Sequence, residues 1–265
     1  MSQPLAERFG VSGRRALVTG GSVSIGRAIA LGLADAGADV AIQFAPAADA
    51  AFGLPDAAAQ TRAAIEACGG RAAAIAADFS NAGEARRAVE VASGALGGLD
   101  ILVIAASVQS RQLLGEITQD EIARQVAINF AATLELLQAA LPGMAAQGWG
   151  RVLSVGSVNQ TRPEAQLGLY AALKAAQHNL IMGLARQYAG RGVTLNTLSP
   201  GLVATERNRW RRQIAAEWEQ IQAAANPMRR AADPEEMVGA ALLFCSAAGS
   251  FITGADLQAT GGGHL

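Results

Sequence analysis

Seven short apolar runs, each four to six residues long, alternate along this chain with longer stretches of helical periodicity. The runs at 16–19, 40–44, 72–76, 101–105, 151–155, 193–198 and 256–259 read as strands. The stretches at 26–36, 56–68, 81–96, 119–144, 170–189 and 233–246 read as helices, the fourth as one long helix or two. Gly37 stops the first helix and Gly69 and Gly70 the second. Asp233, Pro234 and Glu236 give the last helix a capping-box start. Strands that are apolar throughout, such as 101–105, need cover on both faces, which parallel strands with crossover helices provide. The expectation is an α/β fold with a mainly parallel seven-stranded sheet. At 265 residues, 51% hydrophobic and with 30 glycines, the chain fits one large domain with a substantial core. Two stretches look looser. Residues 45–55 hold two prolines, and 202–228 carries four arginines and is a candidate lid.

Charge narrows the partner. The net charge is −1 with no basic block, so the electrostatic footprint of a nucleic-acid or anionic-membrane binder is missing, and a small-molecule partner is expected. Cys68 and Cys245 show no ligand-like pairing and read as free thiols, with no metal site expected. Residues 1–10 carry Glu7 and Arg8 without an apolar core. No uninterrupted apolar run approaches the ~18 residues of a membrane span, so the protein reads as cytoplasmic.

Residues 19–26, TGGSVSIG, lie between the first strand and first helix. There the backbone N–H groups and the helix amino terminus would face a phosphate, and glycines allow close approach. An ordinary tight turn is the plainer reading of two glycines; the place at the head of a strand–helix series favours dinucleotide binding. Further on, Tyr170 and Lys174 are four apart in a predicted helix, and Ser157 ends an apolar run 13 residues before Tyr170. A free phenol has a pKa of about 10 and needs its phenolate stabilised to exchange protons near neutrality. An ammonium on the same helical face at about 4 Å supplies roughly 4 kcal/mol before desolvation. Tyr-x-x-x-Lys alone is common, and only its company gives it weight.

That company is specific. Thr19, Gly20 and Gly26 in the turn, Asp78 after strand three, Asn129, Ser157, the Tyr170–Lys174 pair and the Pro200-Gly201 turn occur in an order that resembles the short-chain dehydrogenase/reductase (SDR) family over nearly the whole chain. The resemblance implies a single doubly wound Rossmann-type domain spanning 1–265, with 202–228 as substrate lid. It implies an NAD(P)-dependent dehydrogenase/reductase that transfers a hydride between nicotinamide and a carbonyl or secondary alcohol. Tyr170 would exchange a proton with the substrate oxygen, Ser157 orient that oxygen, Lys174 lower the Tyr pKa and hold the nicotinamide ribose, and Asn129 support a proton relay. The cofactor would meet Gly20, Ser22, Ser24, Ile25, Gly26, Phe44, Asp78, Phe79, Ala105, Tyr170, Lys174, Pro200, Gly201, Val203 and Thr205, with Ile25 in the phosphate and ribose region, Asp78 near the adenine and Val203 and Thr205 at the nicotinamide carboxamide. A homotetramer built on the helices after strands four and five and on the carboxyl-terminal strand is implied as well.

Two departures stand out. Ser24 replaces the family's third turn glycine and is expected to cap the helix and donate to a phosphate. Ile104, Ala105, Ala106 and Ser107 replace the usual Asn-Asn-Ala-Gly, removing two bracing amides. Phe44 and Ala45 leave no acid at the end of strand two to exclude a 2′-phosphate, and Val23 offers no base to attract it. The choice is NADP or NAD with a slight lean to NADP, to which Arg14 and Arg15 could contribute unless they form a solvated patch. Gln109, Arg111, Asn159, Gln160, Arg162 and the arginines at 207, 209, 211 and 212 beside Trp210 suit sugars, polyols or keto acids. The alternatives are reduction of a 3-oxoacyl thioester on acyl carrier protein and, in another class, a non-catalytic dinucleotide sensor. His178 reads as a core or interface residue, and His264 is unassigned.

Overall fold

The computed structural model describes residues 4–265, so the first three residues of the segment read for a targeting signal lie outside it. After a short helix α1 (Leu5–Phe9) come β1 (Arg15–Thr19), α2 (Ser24–Asp35), β2 (Asp39–Phe44), α3 (Pro46–Ala51), α4 (Ala57–Ala67) and β3 (Ala72–Ala76). Then follow α5 (Glu84–Leu96), β4 (Ile101–Ile104), α6 (Gln119–Val126), α7 (Ala132–Ala146), β5 (Gly150–Val155) and α8 (Gly168–Tyr188). The chain closes with β6 (Val193–Pro200), α9 (Ala215–Ala225), α10 (Val238–Cys245) and β7 (Asp256–Ala259). Every strand lies where expected, within two residues at either end.

All seven strands are parallel, in the order β3-β2-β1-β4-β5-β6-β7. Successive residues of a strand point to opposite faces, and both faces are covered here. Leu17 and Leu102 pack with Leu96 of α5, Leu136 of α7 and Ile181 of α8. Val18 and Val103 pack with Ile29 and Leu33 of α2, Ile65 of α4 and Phe244 of α10. That is why β4 is apolar at all four positions. The order reverses between β1 and β4, and the crevice at that switch point, outside the carboxyl ends of the strands, is where ligands of such sheets bind.

Local structure corrects several expectations. Residues 45–55 are not loose: Pro46 opens α3 at its first turn. The 202–228 segment is largely helical, a 3₁₀ stretch at Glu206–Arg212 followed by α9. The helix expected from residue 81 begins at Glu84, because Gly83 is left-handed (φ 85°). Residues 119–146 form a continuous helical run in which Ala127–Ala131 is a π turn around Asn129. That run is long and apolar enough to cross a membrane by length and composition. In the fold its apolar side chains instead lie against α5 and α8 in the core.

Arg14 and Arg15 do not reach a cofactor. Arg15 donates to both oxygens of buried Asp100, from Nε at 2.6 Å and Nη2 at 3.0 Å. Arg14 lies over the Trp149 ring, 3.7 Å from its centroid. Both precede β1 or sit at its amino end, opposite the crevice. Cys68 is exposed and Cys245 buried, and neither is in a disulfide.

Candidate active site

A cavity of about 1810 Å³ opens at the carboxyl ends of the strands. Every candidate cofactor residue, from Gly20 in the first turn to Thr205 after β6, lines it. So do Ser157, Tyr170 and Lys174. Asn129 does not: it is buried behind the wall, where Nδ2 donates to Val108 O at 2.7 Å and Oδ1 accepts from Val108 N at 2.8 Å. The amide therefore braces the loop after β4.

The glycine turn is tightly packed. Gly20 is left-handed (φ 62°), and a Cβ there would lie 2.9 Å from Ala106 Cα; one at Gly26 would strike Gly20 O. These contacts bring the amino terminus of α2 against the cavity, where an anion would meet unpaired N–H groups. Ser24 is a correction. It is left-handed (φ 53°), and the N-cap is Val23, without a side-chain cap bond. The Ser24 hydroxyl accepts the N–H of Glu206 at 3.1 Å instead, because the left-handed backbone takes it off the helix's own amides. Thus the position of the missing glycine keeps the conformation that favours glycine.

The amides absent after β4 are replaced by other braces. Thr19 Oγ1 accepts from the N–H groups of Ala105 (3.0 Å) and Ala106 (3.1 Å). Gln43, missed in the sequence, accepts the Gly20 N–H at 2.9 Å and donates to Ala77 O at 2.7 Å, tying together the tips of three strands. Also missed was Asp49 on α3, whose Oδ1 accepts from the Ser22 hydroxyl at 2.9 Å. Its Oδ2 is buried without a partner. Burial pushes the Asp49 carboxyl up, against the opposing effect of the Ser22 hydrogen bond. A lone amide ending an apolar strand was the signal for Gln43; Asp49 gave none.

At the far end of the cavity, Ser157 lies two residues beyond β5 and Tyr170 and Lys174 project from the first turns of α8. The Ser157 hydroxyl accepts the Asn159 N–H at 3.1 Å, so its own proton is free to donate. Lys174 is only 2% exposed. Its Nζ donates to Val155 O at 2.7 Å and Gln177 Oε1 at 2.9 Å, and lies 5.9 Å from the centroid of the Tyr170 ring. Desolvation first, and then the charge of Arg207, bring its pKa down to about 7. Gln177 in turn donates to Thr133 Oγ1 at 2.9 Å, and Thr133 to Asn129 O at 3.4 Å. A polar chain thus links Lys174 to the π turn. Gln177 was missed, although an amide three residues after Lys174 on an otherwise Ala-rich helix was a visible signal.

Of the polar groups expected around the substrate, Arg111 pairs with Glu164, and Arg162 donates to Gly263 O at 2.6 Å and Leu265 O at 2.5 Å. Gln160 is turned to Asp256 (2.7 Å), and Arg209 pairs with Glu206 at 3.2 Å. Arg207 donates to the carbonyl and hydroxyl of Ser107, at 2.7 and 2.9 Å. His178 Nδ1 lies 3.1 Å from Thr197 Oγ1, and His264 Nδ1 lies 2.7 Å from Thr260 Oγ1.

A parallel sheet with a glycine turn at its switch point and a Ser–Tyr–Lys cluster opposite defines a dinucleotide-dependent oxidoreductase. The short chain dehydrogenase family model matches residues 14–215, and the chain belongs to this short-chain dehydrogenase/reductase family of oxidoreductases. It is similar to galactitol 2-dehydrogenase (L-tagatose-forming) of Cereibacter sphaeroides, 36% identical over 261 residues and 96% of each chain. It is 31% identical to a 3-oxoacyl-(acyl-carrier-protein) reductase of Vibrio cholerae over 255 residues, 96% of this chain and 99% of the relative. The crystal structure of a 3-oxoacyl (acyl-carrier-protein) reductase from Agrobacterium tumefaciens with NADP bound superposes with a TM-score of 0.92 at 47% identity. That match covers 99% of this chain and 98% of the other.

Proposed function

We propose that the protein transfers a hydride between NAD(P) and the carbonyl or secondary alcohol of a sugar, polyol or keto acid. The observation that carries this is that Ser157, Tyr170 and buried Lys174 all line the cavity, with Lys174 Nζ 5.9 Å from the Tyr170 ring centroid. The dinucleotide, when bound, supplies or accepts the hydride. Ser157 holds the substrate oxygen by donating its free proton. Tyr170 gives a proton to that oxygen in reduction and takes it in oxidation. Lys174 in its charged form stabilises the phenolate. The chain from Lys174 through Gln177 and Thr133 to the Asn129 carbonyl is the path by which the π turn acts on the lysine. The 202–228 segment, tied to Ser24 and Ser107, acts as the lid.

NADP is the favoured cofactor. Phe44 and Ala45 present no carboxylate to a 2′-phosphate, and the Asp49 carboxyl is turned onto Ser22 and buried. The Agrobacterium relative was crystallised with NADP. A cytoplasmic homotetramer is proposed, supported by the exposed Met182 on α8 and Phe251 before β7.

A second reading, reduction of a 3-oxoacyl thioester, is favoured by the names of the Vibrio and Agrobacterium relatives. One assay separates the two: nicotinamide absorbance with NADPH and NADH against keto sugars, keto acids and an acetoacetyl thioester. Tyr170→Phe is expected to lower kcat about 10²- to 10⁴-fold on the true substrate. Wild-type turnover in that variant would overturn the mechanism.

A further inference from the structure

We propose that Arg207 is a carboxylate anchor in the substrate pocket, so that this enzyme prefers a hydroxy or keto acid over the corresponding neutral sugar or polyol. This rests on the sugar, polyol or keto-acid reading above and narrows it.

Ile104 and Ser154 are register partners on β4 and β5, and Ser107 and Ser157 each lie three residues beyond them. The guanidinium that Ser107 holds is therefore set beside the reaction end of the cavity, which both Arg207 and Lys174 line. Its field reaches Lys174, whose pKa it lowers.

Of the side-chain carboxylates lining the cavity, Asp49 bonds to Ser22, Asp78 accepts from the N–H and hydroxyl of Ser80, and Glu164 pairs with Arg111. Among the described residues no ion pair involves Arg207. Its hydrogen bonds run to neutral oxygens only: Ser107 O and Oγ from Nη2, and Gln109 Oε1 from Nη1 at 3.4 Å. A guanidinium has five N–H donors, so those on Nε and one on Nη1 remain for a ligand. Lys174, Arg207 and Arg211 line the cavity buried or half-buried and, among the described residues, in no ion pair, and such cations favour entry of an anion. The glycine turn would hold the dinucleotide phosphates, whereas the hydrogen bonds of Arg207 run to the loop after β4.

The test compares D-gluconate and other aldonates with the matching alditols, using NADP. Wild type is expected to prefer the acids in kcat/KM. Arg207→Met is expected to reduce the acid-to-alditol ratio about 10- to 100-fold, through KM for the acid, as loss of a hydrogen bond to a charged group implies. Arg207→Lys keeps the charge and restores part of the ratio, which separates anchoring from misfolding. The NADP Kd, read by protein fluorescence without substrate, should move less than about threefold. A ratio unchanged in Arg207→Met, a parallel loss of NADP affinity, or wild-type turnover of alditols but no acid would each overturn the anchor. In the last case the polyol reading survives; turnover of neither series sinks both.

Discussion

The hydroxyl of Ser24 accepts the backbone N–H of Glu206 at 3.1 Å, joining the glycine turn to a segment 182 residues further along the chain. Ser24 does this from a left-handed conformation, φ 53°, which costs a non-glycine residue roughly 1–2 kcal/mol. Ser24→Ala keeps the strained backbone and loses the bond, so it should lower stability by about 1 kcal/mol. Ser24→Gly should melt above the alanine variant, because glycine is at ease there. Both should speed amide exchange at Glu206. Identical melting of the two variants would show that residue 24 is not left-handed in solution.

Lys174 is buried at the expense of stability. Its pKa falls from 10.5 to about 7, so between those values the unfolded chain holds a proton that the folded chain has released. Stability from this group is therefore present at high pH and lost as pH falls through about 7. Lys174→Met should abolish turnover yet raise stability at pH 6 by an amount on the order of a few kcal/mol. Urea denaturation at pH 6 and pH 10 checks this, and the gain should shrink at the higher pH.

Two neighbours tune the same ammonium in opposite directions. Gln177 Oε1 accepts a hydrogen bond from Nζ and favours the charged form; Arg207 repels it. Gln177→Leu should move the alkaline fall of kcat/KM to lower pH, and Arg207→Met should move it to higher pH. The profile of kcat/KM reports the free enzyme, so it is the measurement to make. Shifts of the same sign would contradict the arrangement.

Acid stability should depend on Asp100. Burial raises its carboxyl, but hydrogen bonds from the Arg15 side chain and N–H, with the charges of Arg15 and Arg14, outweigh it, and the net shift is downward. A lowered value contributes stability above the unfolded pKa of about 4 and loses it as pH falls through the folded one. Asp100→Asn should destabilise by about 1–3 kcal/mol at pH 7 and by much less at pH 3, measured by chemical denaturation.

Much of the molecule was legible in the primary structure. The strand positions, the glycine turn and the spacing of Ser157, Tyr170 and Lys174 follow from local chemistry. Apolar runs must be buried, glycine permits left-handed turns, and residues four apart share a helical face. The Asp233–Glu236 capping box was equally local, and Asp233 N donates to the Glu236 carboxylate at 2.9 Å. The failures were long-range. Ser24 looked like a cap because its partner is 182 residues away, and Arg15 looked available because Asp100 lies 85 residues on.

The chain by itself determined which elements form and which side chains meet within a turn or two, since those depend on neighbours in sequence. Only the tertiary structure decided that Gln43, Asp49 and Arg207 line the same cavity as the motif residues, and that Gln177 stands behind Lys174. It also decided that, among the described residues, Arg207 is in no ion pair while Arg111 and Arg209 are. Pairing and desolvation are properties of through-space packing, and a guanidinium in a sequence carries no sign of whether a carboxylate will be folded against it.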